Sequence, residues 1–295
     1  MALNKEVFKT RSLTAVVFVV VMLLGLFWNF WSFFVLFTVI HFGCWYEYLK
    51  LVELISKSKI DNVIKWFFAI CGYTLVIVLG IWHYRFDFFI SIISQPVSFK
   101  LIFWIFLLVC LVIVTVQNKQ LPERAKWMSL AGLIYISLSL ALLLNLRDRF
   151  FIDENEILID NGRLIPCAII FSIWINDTMA YIVGSLIGKT PFSKISPKKT
   201  WEGTAGGAIL CVVVIGLLGY FIPAAKQIAV HHWVAIAAIC AIFGTAGDLL
   251  ESKIKRMADV KDSGSFMPGH GGFLDRFDSL LVATPFVWLY VTFFT

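Results

Sequence analysis

Acidic and basic side chains are concentrated in one stretch of the sequence, between Gly247 and Ser279. Only 15% of the residues of the whole chain are charged. The stretch nevertheless contains Asp248, Glu251, Asp259, Asp262, Asp275 and Asp278, together with Lys253, Lys255, Arg256, Lys261 and Arg276. Asp248 and Glu251 are three residues apart and would share one face of a helix, and Asp275 and Asp278 repeat this spacing. Paired carboxylates beside cations predict a site for a metal ion and phosphate groups.

A glycine-rich turn, Pro268 to Gly272, separates the two carboxylate pairs. Backbone N–H groups in such a turn can form a nest for an anion. Mg²⁺ is the metal that suits this arrangement, because it prefers oxygen ligands and shares them with substrate phosphates. His270 is a poor candidate for a zinc ligand, since no second His or Cys lies at a suitable spacing.

A second polar feature lies upstream, where Asp177 interrupts the apolar run from Leu164 to Ile187. A carboxylate at that depth is costly and is usually functional or tightly paired. The loop that follows ends in Lys198, Lys199 and Thr200, just before a predicted helix whose free N–H groups favour an anion. A plain surface loop explains these cations equally well.

Four glycines flank this loop, at positions 184, 188, 203 and 207, in two small-x-x-x-small patterns that allow close helix packing. The segment from Gly184 to Thr190 ends like a nucleotide-binding P-loop but has three residues between its glycines instead of four. It also follows a membrane helix instead of a strand. Helix packing is therefore the preferred interpretation.

The composition predicts an all-α, polytopic integral membrane protein, because 60% of the residues are hydrophobic and the mean hydropathy is +0.86. The six cysteines are scattered singly in apolar runs and predict neither disulfides nor a zinc site. About nine transmembrane spans are expected. They are Leu13–Phe27, Phe30–Tyr46, Trp66–Trp82, Leu101–Val116, Trp127–Leu144, Leu164–Ile187, Thr204–Ile222, Trp233–Leu250 and Leu280–Phe294, with an interfacial helix over Phe86–Ile93.

The distribution of Lys and Arg predicts which side of the membrane each loop occupies. With nine spans and a cytoplasmic N-terminus, 19 of the 25 Lys and Arg residues lie on the cytoplasmic side. Both polar segments described above then share that side. We expect an N-terminal region of about five spans (1–163) and a C-terminal catalytic region of about four spans (164–295), folded as one integrated unit.

The polar segments resemble those of the phosphatidate cytidylyltransferases, also called CDP-diacylglycerol synthases. The similarity is carried by the run from Ser252 to Asp278, which reads S-K-I-K-R-x4-K-D-x-G-x-x-M-P-G-H-G-G-x-L-D-R-x-D. Asp177-Thr178-x-Ala180-Tyr181 and the segment from Lys198 to Gly203 are also similar to that family. The match is close from Asp177 to Asp278 and extends to earlier spans only by hydropathy.

This resemblance implies transfer of CMP from CTP to phosphatidic acid, which gives CDP-diacylglycerol and pyrophosphate. It implies Mg²⁺ and a second ion, K⁺, at Asp248 and Asp275, with Asp278 as a third or supporting ligand. The other catalytic candidates are Lys253, Arg276 and Asp177. Candidates for substrate binding are Lys198, Lys199, Thr200, Glu202, Ser252, Lys255, Arg256, Lys261, Asp262, His270, Gly271 and Gly272. A homodimer in a bacterial inner membrane, with a cytoplasmic site and no nucleic-acid partner, is also expected.

Two functions of other classes remain open on the sequence alone. A CTP-dependent polyprenol kinase would share the nucleotide features but would transfer the γ-phosphoryl group, and the full signature around His270 favours the cytidylyltransferase. A membrane transporter would explain the many spans and Asp177. A transporter more naturally places charge at the midplane of broken helices than in a cytoplasmic loop.

Overall fold

The structure of the chain is a computed structural model. It describes residues 5–80, 121–147, 162–193, 195–266 and 271–295, together with positions 108, 112, 151–152 and 158–159. The described α-helices are α1 (Lys5–Phe27), α2 (Phe30–Ser56), α3 (Asn62–Gly80), α4 (Glu123–Gly132), α5 (Ser139–Arg147), α6 (Leu164–Ile187), α7 (Trp201–Phe221), α8 (Val230–Met257) and α9 (Leu274–Phe294). A π-helical segment (Leu133–Leu138) joins α4 to α5, and a 3₁₀ helix (Pro223–Gln227) lies between α7 and α8.

Seven of the described helical stretches are long and apolar enough to cross a membrane, and the shorter apolar helix Leu13–Phe27 precedes them. The prediction of an all-α polytopic membrane protein is therefore confirmed. The predicted span Leu101–Val116 and the interfacial helix Phe86–Ile93 lie outside the described residues, apart from two isolated positions. The count of nine spans stays a prediction, as does the division at residue 163.

The described β-structure is very small. Strands β1 (Phe151–Ile152) and β2 (Leu158–Ile159) form a two-residue antiparallel ladder in the connection between α5 and α6. An isolated antiparallel bridge joins Pro191 to Thr200 in the loop between α6 and α7. The second contact matters for the site, because it closes the cationic loop at its base.

Close backbone contact between α6 and α7 confirms the role predicted for the small-residue patterns. A Cβ added to Gly203 would lie 2.6 Å from the carbonyl oxygen of Ala180 and 2.9 Å from the Cα of Gly184. A Cβ added to Gly207 would lie 2.7 Å from the carbonyl oxygen of Asn176. The two helices thus form a tight pair that carries Asp177 on one member and the end of the cationic loop on the other.

Helices α8 and α9 form a second close pair, and α8 also packs on α7 and α6. A Cβ on Gly247 of α8 would meet the carbonyl oxygen of Asp278 of α9 at 2.5 Å. Because these helices run antiparallel in succession, the C-terminal ends of α6 and α8 lie beside the N-terminal ends of α7 and α9. Both predicted polar segments therefore meet at one end of the helix bundle.

The apolar core continues into the N-terminal half of the chain. Helix α2 buries Phe33, Phe37 and Trp45, and α9 contacts α2 and α5. The five cysteines among the described residues are buried. Glu47 is also almost completely buried, with 4% of its surface exposed. A charged residue at this position in α2 was not among the predicted site residues.

Candidate active site

A cavity of about 430 Å³ lies where the ends of α6, α7, α8 and α9 converge. Most of the residues that line it are polar or charged, although the surrounding helices are apolar. The lining residues are Asn176, Asp177, Ala180, Tyr181, Gly184, Ser185, Ser196, Lys198, Lys199, Thr200, Thr204, Thr245, Asp248, Asp275, Asp278 and Ser279. Seven residues predicted to form the site from sequence are in this set: Asp177, Lys198, Lys199, Thr200, Asp248, Asp275 and Asp278.

Four carboxylates contributed by three helices make one side of the cavity acidic. Asp248 comes from α8, Asp275 and Asp278 from α9, and Asp177 from α6. Asp177 lies ten residues before the end of α6 at Ile187, which corresponds to about 15 Å along the helix. Its side chain is nevertheless exposed, because it faces the cavity. The cavity therefore reaches from the helix ends into the depth of the bundle.

The cationic loop that forms the opposite wall is held in shape by its own hydrogen bonds. Thr200 caps α7, and its Oγ1 accepts a hydrogen bond from the backbone N–H of Gly203 at 3.2 Å. Glu202 accepts hydrogen bonds from the N–H groups of Lys189 and Thr190, and its Oε1 accepts from the Thr190 hydroxyl at 2.8 Å. Glu202 thus closes the loop and does not line the cavity, so its predicted contact with substrate stays a prediction.

One ion pair joins the two walls of the cavity. The Lys199 Nζ contacts the Oδ2 of Asp248, and about a third of each side chain remains exposed to the cavity. The loop cation and the α8 carboxylate are therefore close enough to bind the same polyanion and its metal ion.

Asp275 is held by several donors at once. Its Oδ1 accepts from Lys255 Nζ at 2.6 Å, and its Oδ2 accepts from the N–H groups of Ser263 at 2.9 Å and Gly272 at 2.8 Å. Gly271 has a φ of +83°, a conformation that suits glycine, and a Cβ there would lie 2.5 Å from Asp275 Oδ2. The N–H of Gly272 was predicted to face a bound anion. It instead donates a hydrogen bond to the Asp275 carboxylate.

Glu47 was missed by the sequence analysis and lies directly behind Asp275. Its carboxylate accepts hydrogen bonds from the N–H groups of Phe273 at 3.0 Å and Leu274 at 2.9 Å. Ser263 Oγ lies 2.8 Å from Glu47 Oε2 and 2.9 Å from Asp275 Oδ2, so it bridges the two carboxylates. The sequence signal was weak, because Glu47 directly follows the predicted span Phe30–Tyr46 and a second acid, Glu53, lies further along the same helix.

The other predicted residues lie around the cavity without lining it. Lys255 forms an ion pair with the fully buried Glu251 as well as its bond to Asp275, so it neutralises carboxylates in this structure. Arg256 Nη1 donates a hydrogen bond to the Val260 carbonyl oxygen at 3.3 Å. Four further side chains are exposed to solvent and do not line the cavity: Lys253, Lys261, Asp262 and Arg276. Ser252 is partly buried. His270 lies outside the described residues, and the phosphate-binding roles of this group stay predictions.

The carboxylates fit a metal ion that takes part of its coordination from a substrate. No three His, Cys, Asp or Glu side chains within the described ranges lie close enough to hold a metal by themselves. Asp248, Asp275 and Asp278 nevertheless line one cavity. Mg²⁺ is commonly bound by one or two carboxylates, with phosphate oxygens and water as its remaining ligands. The acidic wall provides that kind of incomplete set.

Comparison with known proteins agrees with this arrangement. A family model described as the cytidylyltransferase family matches residues 9–294. The chain is 43% identical over 124 residues to the phosphatidate cytidylyltransferase of Bacillus subtilis, and this match covers 42% of the chain and 45% of the relative. The Staphylococcus saprophyticus protein of the same name is 46% identical over 114 residues, covering 38% of the chain and 43% of the relative.

A plant protein is also similar over a shorter share of its length. Phosphatidate cytidylyltransferase 4, chloroplastic, from Arabidopsis thaliana is 46% identical over 105 residues, which is 36% of the chain and 26% of the relative. In these matches the chain spans less than half the length of each relative. The family model, in contrast, extends over nearly all of the helices described above, from α1 to α9. The chain belongs to the cytidylyltransferase family.

Proposed function

We propose that this protein transfers CMP from CTP to phosphatidic acid, so that CDP-diacylglycerol remains in the membrane and pyrophosphate is released. The observation that carries the proposal is the cavity in which carboxylates of α6, α8 and α9 face Lys198 and Lys199 at one end of a membrane helix bundle. The names of the similar proteins from Bacillus subtilis and Staphylococcus saprophyticus support the same reaction.

The reaction requires two polyanions to come together. A phosphate oxygen of phosphatidic acid forms a bond to the α-phosphorus of CTP, and the bond from that phosphorus to the bridging oxygen of the β-phosphate breaks. A phosphate monoester is already largely dianionic at pH 7, so no side chain has to remove a proton from the nucleophile. The protein's task is positioning and charge neutralisation, as is general for phosphoryl transfer.

The two walls of the cavity divide this task. Lys198 and Lys199, beside the N-terminus of α7, bind phosphate oxygens of a substrate. Asp248, Asp275 and Asp278 would hold Mg²⁺, which would supply positive charge to the phosphates. Lys199 then exchanges its contact with Asp248 for a phosphate. Asp177, deeper in the bundle, keeps the cavity polar on the path to the membrane interior.

The two substrates enter from different phases. Phosphatidic acid cannot leave the bilayer cheaply, because each CH₂ group moved into water costs about 0.8 kcal/mol. Its headgroup therefore reaches the cavity sideways, while CTP arrives from water. The distribution of Lys and Arg supports a cytoplasmic location for this end of the bundle. The second ion, K⁺, the homodimer and the bacterial inner membrane remain part of the proposal.

The position of a radioactive label in CTP tests the reaction directly. Purified protein in mixed micelles of detergent and phosphatidic acid is supplied with Mg²⁺ and CTP labelled at either the α- or the γ-phosphorus. We expect the α-label to enter lipid and the γ-label to appear in pyrophosphate. Label from the γ-position in lipid would identify a kinase instead, and lipid without label from either position would refute a transferase.

A further inference from the structure

Glu47 is a buried carboxylate in the interior of α2, far from the predicted catalytic segments in sequence. It is 4% exposed and accepts hydrogen bonds from donors 226 and 227 residues away, the N–H groups of Phe273 and Leu274. A buried carboxylate is very costly unless hydrogen-bond donors surround it. The donors that meet this requirement belong to the start of α9, the helix that carries Asp275 and Asp278.

The start of α9 needs an acceptor from elsewhere. The first N–H groups of any helix lack partners within the helix, and a side chain at the N-cap usually accepts from them. The N-cap of α9 is Phe273, whose side chain has no acceptor atom. Glu47, which belongs to α2, acts as this acceptor. Its negative charge is also favourable at the positive end of the α9 dipole.

The backbone around Glu47 is shaped to admit its carboxylate. A Cβ placed on Gly264 or on Gly272 would collide with the carboxylate oxygens or carbon of Glu47. The connection between α8 and α9 therefore packs against the Glu47 side chain at two points, Gly264 and Gly272. Glu47 fixes the position of the loop where it enters α9.

Ser263 and Gly272 transmit that position to Asp275. The Ser263 hydroxyl lies between Glu47 and Asp275, and the N–H groups of Ser263 and Gly272 donate to Asp275 Oδ2. We propose that Glu47 is a positioning residue that sets the orientation of the Asp275 carboxylate for metal binding. This inference rests on the proposed function only in taking Asp275 as a metal ligand.

The test replaces Glu47 by Gln and measures metal binding with and without turnover. Gln keeps the shape of the side chain but has one acceptor oxygen, so an N–H of Phe273 or Leu274 faces an NH₂ group instead of an acceptor. Loss of such a supporting partner typically lowers metal affinity about 10- to 100-fold. We therefore expect the Mg²⁺ concentration giving half of the Mg²⁺-induced rise in Tm to increase at least about tenfold, and the half-saturating Mg²⁺ concentration of the rate to increase in parallel.

Glu53→Gln is the matched control on the same helix. Glu53 also accepts a backbone hydrogen bond, from Ile60 at 2.7 Å, and pairs with Lys65 at 2.8 Å, so these bonds hold the connection between α2 and α3 and the start of α3. Its replacement should change Tm slightly and leave both Mg²⁺ half-saturation values within about twofold, which is small beside the effect expected for a supporting residue. A purely structural role of Glu47 would lower Tm in Glu47→Gln without moving either value, and that result would overturn the proposal.

Ser263→Ala keeps the inference testable if Glu47→Gln does not fold. This variant removes the bridging hydroxyl but keeps the backbone donors, so both half-saturation values should rise by a smaller factor. Wild-type values in Ser263→Ala, or a wild-type protein whose Tm and rate do not respond to Mg²⁺, would overturn the proposal. A wild-type protein that binds Mg²⁺ but makes no CDP-diacylglycerol would refute the proposed function alone, because the thermal titration does not depend on turnover.

Discussion

Replacing Lys199 by Ala tests whether the cationic loop is a wall of the catalytic cavity. In the free protein Lys199 contacts Asp248, and in the proposed complex it contacts a phosphate instead. The variant therefore loses the phosphate contact, but it no longer has to break the ion pair when substrate binds. The expected effect on substrate binding is the difference between these two contributions.

Both contributions can be estimated from the structure. A hydrogen bond between charged groups contributes about 1.5–3 kcal/mol. The Lys199–Asp248 pair is partly solvated, with 30% and 27% of the two side chains exposed, so it contributes at most about 1 kcal/mol. With the ion pair taken at about 1 kcal/mol, the difference is about 0.5–2 kcal/mol, which corresponds to about a 2- to 30-fold increase in the KM for the substrate whose phosphate Lys199 contacts.

Steady-state kinetics in mixed micelles provide the measurement, with CTP and phosphatidic acid varied separately at several salt concentrations. Lys189→Ala is the matched control, because Lys189 is exposed on the same loop but does not line the cavity. We expect Lys199→Ala to raise one KM and to weaken the salt dependence of the rate. The double variant with Lys198→Ala should show a larger change. Equal effects of Lys189→Ala and Lys199→Ala, or wild-type KM values in the double variant, would refute the two-walled site.

Further substitutions test the acidic wall and the helix packing. Asp248→Asn or Asp275→Asn should abolish turnover in a protein that inserts and purifies normally, and near-normal turnover at saturating Mg²⁺ would contradict the metal assignment. Asp177→Asn should slow the rate at least about tenfold, or roughly 1.4 kcal/mol, whereas an unchanged rate with a lower Tm would indicate a structural role. Gly207→Ala should cost about 1–3 kcal/mol of stability, because its Cβ would lie 2.7 Å from a backbone oxygen of α6. Gly244→Ala is the control, because its Cβ would lie 3.5 Å from the Cβ of Ser279, and equal Tm values would refute the packing argument.

Hydropathy predicted the helical membrane fold but placed some helix ends too early or too late. The last span was predicted to begin at Leu280, whereas α9 begins at Leu274. The carboxylates of Asp275 and Asp278 lowered the apparent hydropathy of that first turn. In the folded protein these carboxylates line the cavity or contact Lys255, so the helix continues through them.

The members of the acidic wall were predictable because Asp248, Asp275 and Asp278 lie in one charged stretch and Asp177 interrupts an apolar run. Only one of the two partners of Lys255 could be predicted from the sequence. Its pairing with Glu251 follows from their i,i+4 spacing on α8, but its bond to Asp275 depends on how α8 packs against α9. Glu47 could not be assigned for the same reason, since its donors at Phe273 and Leu274 are brought to it only by tertiary packing.

The bonds between Glu47 and the start of α9 also have a consequence for biosynthesis. During translation α2 leaves the ribosome early, whereas Phe273 and Leu274 follow more than 220 residues later. Until those residues arrive, the Glu47 carboxylate lacks these backbone donors and must be hydrated instead. Insertion of α9 supplies the donors and brings Asp275 into the cavity in the same step. An unfinished chain therefore lacks both the α9 carboxylates proposed to bind the metal and the donors of Glu47, so we expect the loop before α9 and the proposed metal site to form together, only after α9 has been made.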